Sequence, residues 1–243
     1  MQSKPSSLHP PSKARELSPK PSERSDRIWP RETWETAYLR FETREEEIDK
    51  FTKRLLAMGA NNWSRDAQVV ELFCGRGNGL HALNRLGFSR IEGVDISSSL
   101  LGQYEGPAKL YVKDCRHLPH DSGSRDMLIV QGGLHHLQSL PEDLEQVLVE
   151  VHRVLRRGGR FVVVEPWLTP FLRVVHAVCS NQMARRLLPK VDALATMIYH
   201  EGEIYDQWLN HGAFILASLK RLFVPERCSL AWGKLHFVGR KLV

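Results

Sequence analysis

The sequence predicts a doubly wound α/β fold with a mostly parallel sheet. Apolar strand segments alternate with helical segments, and this alternation is typical of parallel sheets with right-handed crossovers. Strands are expected at about residues 68–73, 90–94, 109–112, 126–131 and 160–164, with helices between them at about 79–86, 97–104 and 141–156. A glycine-rich turn follows the first strand, at the edge of the sheet where such folds bind nucleotides.

The two ends of the chain depart from this alternation. Residues 1–30 contain six prolines and seven serines but few apolar residues, so we expect a disordered tail there, followed by a domain at 31–243. Thr43 to Glu46 has the pattern of a capping box, which opens a helix that stops at Gly59. Near the other end, residues 228–232 and 235–240 predict an antiparallel hairpin around a turn at Gly233-Lys234.

A long segment separates the fifth strand from this hairpin. A helix at about 203–221 is expected to make the crossover, and residues 167–201 are expected to form a small helical cap. Ligands of open α/β sheets bind at the carboxyl ends of the strands. The cap is therefore predicted to cover a substrate pocket, with Trp167, Tyr199 and His200 as pocket residues. The alternative is that these aromatic side chains only pack the cap onto the sheet.

The turn after the first strand is the strongest functional signal. Glu71 stands in this strand, and the pattern E-x-F-x-G-x-G-x-G leads from it through Phe73, Gly75 and Gly77 into a helix. Glycines let backbone N–H groups approach a ligand closely, because no Cβ is in the way. The second strand ends in Asp95, where a carboxylate can hold the two ribose hydroxyls of a nucleoside. An adenosine-type cofactor is therefore expected.

The spacing of this turn distinguishes between cofactors. A dinucleotide fingerprint has the form G-x-G-x-x-G, which does not fit here. The pattern instead resembles motif I of the class I S-adenosyl-L-methionine-dependent methyltransferases, with Phe73 where the family commonly has its first glycine. The resemblance implies S-adenosyl-L-methionine as cofactor, S-adenosyl-L-homocysteine as product, and a seven-stranded Rossmann-like sheet that ends in an antiparallel hairpin.

Further segments follow in the order that this family has. Residues 114–119 resemble its acid-x-x-x-L-P segment, whose acid bonds the adenine amine, and Gly158-Gly159 resembles its turn before the fifth strand. These matches extend over about 100 residues and resemble most the small-molecule enzymes of the ubiquinone-biosynthesis type. The resemblance implies the following cofactor-binding residues: Glu71, Phe73, Gly75, Gly77, Asp95, Ile96, Asp114, Cys115 and Gln131.

Methyl transfer needs an acceptor aligned with the breaking carbon–sulfur bond, and a base only where the acceptor loses a proton. His135 and His136 follow the fourth strand and are the candidate catalytic residues, since histidine titrates near neutral pH. Either one could instead cap a helix or pack. Glu165 and Tyr199 are weaker candidates. The predicted function is methyl transfer by in-line displacement to a small metabolite or biosynthetic intermediate.

Composition limits the other classes of protein. The chain has 243 residues with 42% hydrophobic content, and neither a membrane-spanning run nor a secretory leader is expected. Four cysteines without C-x-x-C spacing suit a reducing cytoplasm and do not favour zinc. The net charge of +6 is spread along the chain, so nucleic acid is not the favoured partner. An RNA or protein methyltransferase and a non-catalytic cofactor-binding module remain the alternatives, and the sequence does not specify an oligomeric state.

Overall fold

A computed structural model describes residues 33–242 and contains a seven-stranded sheet. The strands lie in the order β3-β2-β1-β4-β5-β7-β6, and β7 runs antiparallel to both β5 and β6. The strands are β1 Val69–Leu72, β2 Ile91–Asp95, β3 Lys109–Val112, β4 Arg125–Gln131, β5 Leu155–Pro166, β6 Val224–Ala231 and β7 Lys234–Arg240. The predicted doubly wound sheet with an antiparallel hairpin is confirmed. The predicted tail at residues 1–30 lies outside the described residues.

Nine α-helices accompany the sheet within residues 33–242. They are α1 Trp34–Phe41, α2 Arg44–Ala57, α3 Asn78–Arg85, α4 Ser98–Leu101, α5 Glu142–Val154, α6 Pro170–Ser180, α7 Gln182–Leu187, α8 Pro189–Asn210 and α9 Gly212–Leu222. Short 3₁₀ helices lie at Ala60–Asn62 and Leu134–His136. In the part of the chain that is described, no helix has the length and apolar content that crossing a bilayer requires.

The central strands are buried on both faces. Along β1, Val69 belongs to one buried cluster, whereas Val70 and Leu72 belong to the other. The first of these clusters also contains side chains of α2 and α3, and the second contains side chains of α5 and α9. Burial from both sides explains why these strands read as continuous apolar runs rather than as alternating polar and apolar residues.

The predicted capping box is present at the start of α2. The backbone N–H of Thr43 donates to Glu46 Oε2 at 2.8 Å, and the backbone N–H of Glu46 donates to Thr43 Oγ1 at 3.2 Å. The helix ends at Ala57, and Gly59 follows with a left-handed φ of 102°. This helix therefore has the predicted limits, and it lies against α3.

Three predicted boundaries in the second half of the chain are wrong. The crossover expected at 203–221 is divided between the end of α8 and α9, and α8 itself is kinked at Gly202, where φ is 48°. The hairpin turn is Trp232-Gly233 rather than Gly233-Lys234, because Trp232 and Gly233 take positive φ values of 53° and 73°. Helix α5 ends at Val154 rather than near residue 156, since Leu155 already pairs with β4.

Candidate active site

A large cavity lies at the carboxyl ends of the parallel strands. Its volume is about 1060 Å³, and its walls come from the loops after β1, β2, β3 and β4, from helices α1, α2, α6 and α8, and from the β6–β7 hairpin. Pockets for a single small ligand usually measure about 300–1,000 Å³. The cavity therefore has room for a nucleoside cofactor together with a second molecule.

The glycine-rich turn forms one end of this cavity. Gly75 has a φ of 51°, and a Cβ added to it would meet no atom within 4 Å, so its backbone faces open space in the cavity. Gly77, also predicted to bind the cofactor, is not among the residues that line the cavity. Its φ is 79°, and an added Cβ would lie 2.2 Å from a ring carbon of Tyr104. Gly77 is therefore required for the start of α3, and its contact with the cofactor stays a prediction.

Phe73 occupies the place of a glycine in backbone conformation as well as in the motif. Its φ of 55° is left-handed, which costs an L-residue about 1–2 kcal/mol. The Phe73 ring lies against Gly133 in the loop after β4, where an added Cβ would be 2.3 Å from Phe73 Cγ. Because Gly133 has no side chain, the loop after β4 leaves space for the ring of Phe73 in the loop after β1. The Phe73 ring is part of the cavity wall.

Glu71 and Gln131 place unpaired polar atoms in the same wall. Within the described residues, Glu71 Oε2 and both side-chain polar atoms of Gln131 are buried and form no hydrogen bond of good geometry, although the Gln131 amide lies close enough to Glu71 to act against the rise of its pKa. Burial raises the pKa of Glu71 to about 8, and the nearby carboxylates of Glu47 and Asp95 act in the same direction. Buried polar groups without partners are costly. A ligand with an ammonium group and hydrogen-bonding atoms, such as the methionine part of the cofactor, fits this end of the cavity.

Asp95 and Ile96 come at the end of β2. Asp95 Oδ2 accepts a hydrogen bond from the backbone N–H of Gly75 at 2.8 Å, and Oδ1 accepts one from Ser97 at 2.8 Å. Each carboxylate oxygen keeps a further lone pair, which suits the two hydroxyls of a ribose. The side chain of Ile96 is 71% exposed although it lines the cavity, so it offers an apolar surface for a flat ring.

Asp114 lies in the cavity wall after β3, but it is already paired. Arg116 donates to Asp114 Oδ2 at 2.6 Å and to Asp143 Oδ1 at 2.6 Å, so one guanidinium joins two carboxylates. The hydrogen bonds from Arg116 lower the pKa of Asp114. The predicted bond from Asp114 to an adenine amine would therefore share this carboxylate with Arg116. Cys115 beside it is buried and lines the cavity.

The two predicted catalytic histidines line the cavity in contact with each other, but their partners differ. His135 Nδ1 lies 2.7 Å from Glu165 Oε2, while Glu165 Oε1 accepts backbone hydrogen bonds from Gly133 and Leu134 at 2.8 Å. Burial acts to raise the pKa of Glu165, yet the hydrogen bonds from His135 and the two backbone groups outweigh it and hold this pKa below its usual range. Because an ionised carboxylate only accepts, Nδ1 of His135 donates and Nε2 keeps its lone pair.

His136 has a different environment. Its ring lies 4.1 Å from the ring of His135. Burial lowers the pKa of His136 to about 4, and the positive charge that His135 carries whenever it is protonated acts in the same direction. It is therefore neutral at pH 7 and a weaker base than an ordinary histidine.

Glu201 from α8 completes this group. Trp34 donates to Glu201 Oε1 at 3.1 Å, and Glu201 Oε2 lies 3.9 Å from His135 Nε2. The three groups of His135, His136 and Glu201 offer ligand atoms within 4.8 Å of one another, a spacing that a metal ion could bridge. The prediction of no zinc site is based on the spacing of the cysteines, and this group contains no cysteine, so that prediction does not apply to it.

The three predicted pocket residues of the cap do not line the cavity. Trp167 is partly buried and packs against Gly212, where an added Cβ would lie 2.9 Å from Trp167 Cζ2. Tyr199 and His200 are exposed, and their rings contact each other at 5.5 Å. The cavity face of α8 consists instead of Leu194, Met197, Ile198, Glu201 and Tyr205. These positions have the i, i+3, i+4, i+7 spacing of one helix face, and Tyr199 and His200 fall outside it.

Other lining residues had no sequence signal at all. Tyr38, Arg54 and Lys234 come from α1, from α2 and from the start of β7. Burial, with Arg54 nearby, lowers the pKa of Lys234 to about 8, and burial also lowers the pKa of Arg54. Only the packing of the first helices and of the final hairpin against the cavity brings these side chains to the site.

The sheet order, the glycine-rich turn after β1 and the carboxylates after β2 and β3 define the fold of the class I methyltransferases. Comparison with known families agrees, because residues 70–163 match the family model described as a methyltransferase domain. This part of the chain is therefore similar to a methyltransferase domain, as the class I resemblance of its motifs implies.

Individual proteins show the same likeness. A protein described as an uncharacterized methyltransferase from Synechocystis sp. is 32% identical over 101 residues, which cover 40% of this chain and 46% of that relative. The match thus spans less than half of the relative's length.

Among solved structures, the PH0226 protein from Pyrococcus horikoshii has a TM-score of 0.61 at 19% identity, covering 84% of this chain and 96% of that one. A geranyl diphosphate C-methyltransferase from Streptomyces coelicolor, solved in complex with Mg²⁺, geranyl diphosphate and S-adenosyl-L-homocysteine, has a TM-score of 0.53 at 14% identity, covering 86% and 84%. At these identities the likeness shows a shared fold.

Proposed function

We propose that the protein transfers a methyl group from S-adenosyl-L-methionine to a small-molecule acceptor. The observation that carries this proposal is the continuity of one cavity, which joins the glycine-rich turn and Asp95 to the His135–Glu165 pair. A cofactor held at the first end and an acceptor held at the second would meet within a single enclosure. Such positioning is the main requirement of methyl transfer.

The residues around the turn are proposed to hold the cofactor. Asp95 would accept from the ribose hydroxyls, Ile96 would lie against the adenine ring, and Asp114 with the Cys115 backbone would face its edge. Glu71 and Gln131 would bind the methionine part through the polar atoms that lack partners in the described residues. The Streptomyces C-methyltransferase, which shares the fold, was solved in complex with S-adenosyl-L-homocysteine, and this supports the choice of cofactor.

His135 is proposed to accept the acceptor's proton. When bound, S-adenosyl-L-methionine supplies an electrophilic methyl group on a sulfonium, and the carbon–sulfur bond breaks with its electrons passing to sulfur. Glu165 holds His135 Nδ1 at 2.7 Å, which leaves the Nε2 lone pair to take a proton from a hydroxyl or amine as the new bond forms. Glu165 then stabilises the imidazolium as its counter-ion. Because the pKa of His136 is low, this side chain is proposed to line the pocket in its neutral form and not to act as the base.

Calorimetric titration with S-adenosyl-L-homocysteine, with NAD as the control ligand, tests the cofactor assignment. We expect micromolar binding of the first and none of the second, since the turn lacks the spacing of a dinucleotide site. Binding of NAD alone would contradict the assignment. Binding of neither would indicate that Phe73 closes the turn to both.

Turnover of His135→Gln tests the proton acceptor. The assay measures S-adenosyl-L-homocysteine formed with a panel of small phenols, amines and carboxylic acids. We expect the variant to lose about 10²–10⁴ in rate while binding S-adenosyl-L-homocysteine as the unaltered protein does, because a general base acts on the acceptor only. His136→Gln is the matched control and should lose much less.

Chelation separates proton acceptance from metal coordination at the same side chains. With His135 as base, the rate is insensitive to EDTA and Glu201→Gln remains active. If EDTA abolishes the rate and the His135, His136 and Glu201 variants all fail together, the group acts as a metal site and the base assignment is wrong. Cofactor binding without turnover on any acceptor would leave a non-catalytic binding module.

A further inference from the structure

Helices α6 and α7 present an apolar surface that begins at the rim of the cavity and extends away from it. On α6, Phe171, Val174 and Val178 are exposed at i, i+3 and i+7, so they share one face of the helix. Met183 and Leu187 on α7 and Leu188 after it are also exposed, with Leu187 at 72%. We call these six residues the α6–α7 surface. Exposed apolar side chains that lie together on a surface mark a site of interaction with a membrane or with another protein.

The charge of this segment indicates what covers it. Residues 166–191 contain four cationic side chains, Arg173, Arg185, Arg186 and Lys190, and neither Asp nor Glu. Arg185 pairs with Asp192, and Lys190 pairs with Glu46. Arg173 and Arg186 are exposed and have no acidic partner within residues 33–242. Helices that combine exposed apolar side chains with unpaired arginines complement an anionic lipid surface, which takes up the apolar side chains and attracts the cations.

The α6–α7 surface is continuous with the mouth of the cavity. The Phe171 ring contacts the Trp232 ring at the tip of the β6–β7 hairpin, with centroids 5.3 Å apart. Both side chains line the cavity, yet Trp232 is 77% exposed. Tryptophan is enriched at the boundary between water and lipid. Leu172 and Val175 on α6 continue the apolar wall inward.

We propose that the α6–α7 surface and Trp232 dock the protein on anionic membranes, with the cavity mouth facing the lipid. Helices of 11 and six residues are too short to cross a bilayer, so they lie in the interfacial layer. The acceptor would then be a lipophilic molecule that passes from the bilayer into the cavity. That last step rests on the proposed methyl transfer, whereas docking itself does not.

Co-sedimentation with extruded vesicles tests the docking. One set of vesicles is phosphatidylcholine alone, and the other contains about one quarter phosphatidylglycerol, which supplies the negative surface potential. We expect binding to the anionic vesicles, a blue shift of tryptophan fluorescence, and release by added salt, which screens the arginines. The absence of binding to anionic vesicles would overturn the proposal.

Paired variants locate the surface. Val174→Glu with Leu187→Glu should reduce partition by about tenfold or more, since two apolar contacts are lost and two anions added. The control is Val149→Glu on α5, where Val149 is 57% exposed but outside the α6–α7 surface, and it should bind vesicles unchanged. S-adenosyl-L-homocysteine binding measured on the same samples shows that both variants fold and reports separately on the proposed function.

Two results would place the interface elsewhere. If the double variant binds vesicles like the unaltered protein, the α6–α7 surface is not the docking site. A second result would be that the unaltered protein self-associates in light scattering while the double variant is monomeric, and that neither of these two proteins binds vesicles. The surface would then join two copies of the chain.

Discussion

Glu71 is a buried carboxyl group whose Oε2 has no hydrogen-bond partner within residues 33–242. It lies against the start of α3, where a Cβ added to Gly79 would be 1.8 Å from Glu71 Oε1. Burial raises its pKa to about 8, and Glu47 and Asp95 add to the effect. Near neutral pH the ligand-free protein therefore keeps this carboxyl protonated. A ligand cation at this end of the cavity would favour the ionised form and lower the pKa.

We expect the binding of S-adenosyl-L-homocysteine to strengthen as pH rises from about 6 to about 8 and to level off above it. Below the ligand-free pKa of about 8, binding must expel the Glu71 proton, so affinity gains at most about tenfold per pH unit. Calorimetry in two buffers of different ionisation enthalpy measures the proton released. Glu71→Gln is the isosteric control and should remove the pH dependence. A pH-independent affinity in the unaltered protein would show that no cation binds beside Glu71.

Helix α8 shows what a sequence pattern can and cannot indicate about an element. Tyr199 and His200 are predicted as pocket residues because they are aromatic, but at their positions on the helix both side chains are exposed to solvent. The spacing of Leu194, Met197, Ile198, Glu201 and Tyr205 is visible in the sequence and identifies the cavity face correctly. What the sequence could not show is the kink at Gly202, which divides the helix near Glu201.

The loops after β1 and β4 make the same point about elements that are distant in sequence. The motif places Phe73 where the family commonly has a glycine. The structure shows that Gly133, 60 positions later, makes room for the Phe73 ring. Pairing of this kind depends on the neighbouring strands β1 and β4, and a local pattern does not reveal it.

At the scale of the whole molecule, the parallel core was predictable because each buried strand and each turn has a local signal. Glu71, Asp95 and Asp114 follow directly from strand ends in that core. The part of the cavity wall that is formed by Trp34, Arg54 and Lys234 was not predictable. These residues come from α1, α2 and β7, which meet only after the fold has formed. Glu165 is a weak candidate by sequence, because its contact with His135 joins two strand ends 30 residues apart.

Cofactor binding couples this cavity to the stability of the entire domain. A ligand that binds only the folded state at 100 times its Kd stabilises it by about 2.7 kcal/mol. For a domain of this size we expect the melting temperature to rise by about 5–10 °C with S-adenosyl-L-homocysteine. Differential scanning calorimetry at increasing ligand concentration measures the shift.

Asp95→Ala should lose about one third of that shift or more at the same ligand concentration. The variant lacks the proposed ribose acceptor, and loss of such hydrogen bonds costs about 1–3 kcal/mol of binding. Its ligand-free melting temperature should also fall, because Asp95 holds the backbone of Gly75 and Ser97. Glu226→Ala is the matched control, since Glu226 pairs with Arg160 and Arg240 outside the cavity. Glu226→Ala should lower the ligand-free melting temperature yet keep the full shift, and an equal shift in Asp95→Ala would remove Asp95 from the cofactor site.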